Sequence, residues 1–92
     1  MIDIYIVHNN PDTIKNIWNI PLNFEPFIHL LDIGSKVDRS KAFKFKQNWG
    51  ARQDPFCLIE EDGKPIKAFY SEIGEDAINQ LINFIKTWKT LK

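Results

Sequence analysis

The sequence predicts an α/β domain with the element order β-α-β-α-β-β-α, and three stretches carry that prediction. Ile2, Ile4 and Ile6 alternate with Asp3, Tyr5 and Val7, the period-two pattern of a strand. The stretch Trp49–Lys64, WGARQDPFCLIEEDGK, reads as a helix end, a loop closing on Pro55, an apolar strand and a tight turn. Near the C-terminus, Ala77, Ile78, Leu81, Ile82, Ile85 and Trp88 recur at helical spacing and form one apolar face.

Each element has a local reason. The first strand, Ile2–Val7, is broken by His8, Asn9 and Asn10. Asn10 is a good N-cap, Pro11 suits a first helical turn because its missing N–H needs no partner there, and Asp12 sits where the helix dipole favours negative charge. Ile14, Ile17 and Trp18 are spaced for one face of this short helix, which Pro21 ends. After a loop over residues 22–26, Phe27–Ile33 is an apolar run interrupted only by His29 and Asp32, as in a strand covered on both faces. Ser40–Trp49 carries both helical and alternating spacing. Gly50 as a terminator, and the need for a crossover between strands, favour a helix. Phe56–Glu60 and Ile66–Tyr70 flank Asp62-Gly63 and predict a hairpin. In the last helix Lys86, Lys89 and Lys92 fall at the C-terminal end, the favourable side for cations.

A chain of 92 residues with 43% hydrophobic and 13% aromatic residues is expected to form one domain, residues 1–92, around a genuine core. Its net charge of zero argues against electrostatic capture of nucleic acid or an anionic membrane. The charge is unevenly placed: residues 35–53 carry six cations against Asp38, and residues 54–76 carry seven carboxylates against Lys64 and Lys67. Two solvated faces of opposite sign are the plain reading. The single cysteine, Cys57, builds no disulfide framework. MIDIYIVHNN has no basic leader, and no run approaches the ~20 apolar residues of a membrane span. The expected setting is a reducing one, cytoplasmic or within a virion, since abundant Ile, Asn and Lys with scarce Arg fit an AT-rich bacterial or phage genome.

The second half of the chain resembles the thioredoxin-like superfamily. Trp49-Gly50, Arg52, Asp54-Pro55, Phe56–Ile59 and Asp62-Gly63 match its pattern of aromatic-Gly, a basic residue, X-cis-Pro, an apolar strand and Asn/Asp-Gly. The resemblance extends over nearly the whole chain as a minimal domain of glutaredoxin size. It implies a four-stranded mixed sheet in the order 2-1-3-4, helices on both faces, and a cis Asp54-Pro55 bond. It also implies a site where the start of the first helix meets the proline loop. There, active members keep Cys-X-X-Cys, whose first thiolate is stabilised by the helix start. Here the motif is Asn9-Asn10-Pro11-Asp12, which has no thiol. Asp3 falls where thioredoxins hold a buried acid; without the cysteines it reads as an ordinary strand-start residue.

The remaining candidates have modest readings. Cys57 in an apolar run reads as a small buried hydrophobe. His8 is expected to be a partly exposed edge residue, with acid–base work beside Asp12 as the alternative. His29 is expected to bond a backbone group. His8, His29 and Cys57 lack metal-ligand spacing, and the chain has no glycine-rich phosphate loop, nucleophile elbow or paired-histidine helix. No cofactor is implied.

The sequence therefore leads to a non-catalytic thioredoxin-like binding or structural module. Its expected partner, a protein or peptide, sits in a groove formed by His8, Asn9, Asn10, Pro11, Asp12, Asp54 and Pro55, where the residue before the proline offers its backbone to an extended segment. An enzyme using non-dithiol chemistry at the same place is the alternative. Nucleic-acid contact through the basic stretch Lys36–Arg52 ranks third.

Overall fold

A computed structural model describes residues 1–20, 22–51, 55–70 and 76–91. Four strands, β1 (Ile2–His8), β2 (Ile28–Asp32), β3 (Phe56–Glu61) and β4 (Lys64–Phe69), form one mixed sheet in the order β2-β1-β3-β4. β2 runs parallel to β1, while β3 is antiparallel to both β1 and β4. Two α-helices, α1 (Lys36–Trp49) and α2 (Ala77–Leu91), and two 3-10 segments, Pro11–Asn19 and Leu22–Phe27, complete the elements. This α/β arrangement is compatible with a thioredoxin-like fold.

Adjacent residues of the central strands enter different cores, as a pleated strand requires. Ile4, Ile6, Cys57 and Ile59 pack with Ile14, Ile17, Ile20 and Phe24 of the N-terminal half and with Ala77, Ile78, Leu81, Ile82 and Ile85 of α2. Val7, Leu31, Phe56 and Leu58 pack with Ala42 of α1, with Tyr5 and Phe45 against them. Each fully buried large apolar side chain contributes about 1.5–3 kcal/mol relative to exposure.

The first helical segment departs from the sequence expectation. It is 3-10 rather than α, with a kink at Ile14, and Asn10 Oδ1 accepts the Asp12 N–H at its start. Ile14 at the kink, Ile17 within the segment and Ile20 at its extended C-cap are buried, and Trp18 is left 61% exposed. The expected loop after it is a second 3-10 segment that buries Phe24. β2 is shorter than Phe27–Ile33 and is not covered on both faces: as the outermost strand it lies at the margin of both cores, with His29 and Leu30 exposed.

α1 begins one turn before Ser40. Asp32 turns the chain there, its carboxylate accepting the Gly34 N–H at 2.8 Å and its carbonyl accepting the Ser35 N–H at 2.9 Å. Gly50 ends the helix in the left-handed region at φ 67°. The Gly50 and Ala51 N–H groups donate to the carbonyls of Gln47 and Lys46, a Schellman closure. At the hairpin, Asp62 (φ 54°) and Gly63 (φ 80°) both lie at positive φ, as a two-residue type I′ turn demands. A register shift at Ile59/Glu60 leaves Ile66 as the extra residue of β4 and lets Pro65 sit in this edge strand. α2 buries the apolar face read from the sequence, with Trp88 half-buried at its end.

Candidate functional site

The pairing of Val7 with Phe56 sets the C-terminal end of β1 beside the start of β3. That register places His8 and Pro55 at one end of the sheet, with Asn9–Asp12 leading away from it. Pro55 is buried. Asp54 and its bond to Pro55, together with Arg52, fall outside the described residues, so the expected cis geometry does too.

His8 differs from its expected partial exposure: it is only 5% exposed. Strand alternation puts it on the face of Ile4 and Ile6, where the core shared with α2 lies. Its Nδ1 meets no hydrogen-bond partner among the described residues. A buried polar atom left this way costs about 1–3 kcal/mol.

Asn9, Asn10, Pro11 and Asp12 are exposed and form a polar rim. Asn10 is committed to capping through Asp12 N at 3.0 Å. Asp12 lies 4.0 Å from Lys15, with both side chains in solvent, a pair that contributes little. Amides and a carboxylate at this rim can read hydrogen-bonding groups, but none is a nucleophile suited to disulfide exchange. Cys57, the chain's only thiol, is fully buried. Its Sγ lies 3.9 Å from the Ala77 carbonyl. Burial pushes the thiol pKa far up, and the nearby Asp76 charge pushes in the same direction. The thiolate required for attack is therefore suppressed.

A second polar cluster escaped the sequence reading. His29 Nε2 lies 2.9 Å from Asp3 Oδ1, so the partner is a carboxylate rather than a backbone group. The imidazole stacks on Tyr5 with centroids 4.9 Å apart. The Tyr5 ring also meets Phe45 at 4.8 Å and lies beneath the Lys41 ammonium at 4.6 Å. Burial, aided by the Asp3 and Glu60 charges, raises the Tyr5 pKa. The parallel pairing of Tyr5 with His29 builds the cluster, and no single-chain spacing signals it.

Among the described residues no three His, Cys, Asp or Glu side chains converge to hold a metal ion, and no helix is long and apolar enough to cross a membrane. No protein-family model matches the chain, and a search of curated proteins finds no match.

Proposed function

We propose that this chain is a thioredoxin-like binding module without thiol chemistry, which holds a protein or peptide segment at the sheet end formed by His8–Asp12 and Asp54-Pro55. The observation that carries this reading is the separation of thiol from site: the one cysteine is sealed in the core, while the exposed rim is Asn9-Asn10-Pro11-Asp12. The sheet order, the parallel β1/β2 pair and the two cores support the thioredoxin-like topology with helices on both faces. A partner segment extended along Asp54 would add main-chain hydrogen bonds, a mode that does not depend on cysteine.

A disulfide-reduction assay coupled to a reducing system tests the chemical half of this reading. The protein is expected to match the buffer blank; reduction that disappears in Cys57→Ser would overturn it. His8 Nδ1, buried and without a hydrogen-bond partner among the described residues, favours one second reading, an enzyme that uses His8 as an acid–base group. Turnover of any substrate that His8→Gln abolishes, with the fold intact by circular dichroism, would select that alternative.

A further inference from the structure

Toward the hairpin end of the sheet, a groove of ≈ 320 Å³ opens between the C-terminal half of α1 and the β3–β4 pair. Phe45, Asn48, Trp49, Leu58, Glu60 and Pro65 line it. Phe45 and Trp49 stand one helical turn apart on α1, so both reach the same side. The Trp49 carbonyl accepts the Tyr70 hydroxyl at 3.0 Å, which ties this end of α1 to the segment after β4. Trp49 itself is 39% exposed.

The charged residue of the groove lining is Glu60. Glu60 is directly opposite Asp3 in the antiparallel β1–β3 pair, so the two carboxylates share a sheet face, an arrangement that repels. Asp3 is matched by His29 at 2.9 Å. Glu60 makes no ion pair among the described residues. Next to the groove, the Lys41 ammonium already rests over the Tyr5 and Phe45 rings at 4.6 and 5.7 Å, so this surface stabilises a cation by its aromatic faces.

We propose that the groove receives a lysine or arginine side chain of a partner polypeptide, with its aliphatic stem against Phe45, Pro65 and Trp49 and its charged head on Glu60. The volume sits at the bottom of the range of about 300–1,000 Å³ seen for small-molecule sites, enough for one long side chain. Long cationic side chains lay their methylenes on apolar surface while the head stays at a polar edge. Glu60 is the charged residue of the lining, and it selects a cationic head over a phosphate.

The test is an NMR titration of the ¹⁵N-labelled protein with Ac-Gly-Arg-Gly-NH₂, with the norleucine tripeptide and free agmatine in parallel. Saturating shifts are expected at the Trp49 indole and at the Asn48 and Glu60 amides. The norleucine peptide should bind more weakly, and Glu60→Gln should weaken the arginine peptide by about fivefold or more. Lys41→Gln, which removes a neighbouring positive charge, should leave binding equal or tighter, and Asn9→Arg should leave it unchanged. Equal affinity for the norleucine peptide, or a Glu60→Gln effect within about twofold, would reduce the site to an apolar groove and overturn the proposal. Agmatine binding as tightly as the peptide would overturn the polypeptide as its source. Trp49→Ala serves as a second variant, expected to lose the interaction with the spectrum otherwise preserved.

Discussion

The sealed position of Cys57 has a consequence that can be measured without knowing any partner. In the folded protein the thiol is fully buried and its pKa is raised by desolvation and by the Asp76 charge. In the unfolded chain it returns to its ordinary value of 9.0. The stability associated with keeping it protonated is therefore complete below pH 9.0 and is lost as pH rises above it, because only the unfolded state releases the proton. At pH 10 one such group favours unfolding by about 1.4 kcal/mol relative to pH 7. Urea unfolding of the wild type and Cys57→Ala at pH 7, 9 and 10 isolates this effect. Tyr5 and Tyr70, whose pKa values are also raised by burial, are present in both proteins and cancel. The difference between the two is expected to shift by about 1.4 kcal/mol in favour of Cys57→Ala between pH 7 and 10. A thiol reagent should likewise react at the rate set by opening of the fold rather than at the rate of a free thiol. Parallel stability profiles for the two proteins, or immediate labelling under native conditions, would refute the buried-thiol argument.

Other outcomes follow from the backbone and the cores. Ile17→Ala should cost about 2–5 kcal/mol in urea unfolding, while Trp18→Ala should fall within about 0.5 kcal/mol of wild type; comparable losses would mean an α-helical rather than a 3-10 face. Gly50→Ala should destabilise by about 1–2 kcal/mol through its positive φ alone, since an added Cβ meets nothing within 4 Å, and an unchanged midpoint would contradict the left-handed closure of α1. Coupled disulfide reduction should remain at the blank level for wild type and Cys57→Ser alike.

Features set by neighbours in the chain were legible from the sequence. The Asn10-Pro11-Asp12 start, the Gly50 stop and the Asp62-Gly63 turn each depend on a few consecutive residues, and each takes the expected role. The 3-10 character of residues 11–19 was not legible, because Ile14 and Ile17 satisfy a period of 3.0 as well as one of 3.6; only the fate of Trp18 separates them. The burial of His8 depends on what packs over the Ile4/Ile6 face, which strand alternation alone does not reveal. The Asp3–His29 pair and the Glu60 groove require cross-strand registers, the latter beside a bulge at Ile59/Glu60 that shifts the β3–β4 pairing. At the rim, the residue types were readable, but the capping role of Asn10 makes Asn9 the better probe of binding.

The central claim, that the thiol-free sheet end is a binding surface, is tested most directly by the affinity of a partner captured with the native protein from its source. Calorimetric titration of the isolated partner should compare Asn9→Arg with Lys44→Glu, an exposed position on the basic α1 surface, with both folds checked by circular dichroism. Asn9→Arg is expected to weaken binding by about tenfold or more, roughly 1.4 kcal/mol, while Lys44→Glu stays within about twofold of wild type. Binding abolished by Lys44→Glu and unchanged by Asn9→Arg would contradict the account and move the functional surface to α1.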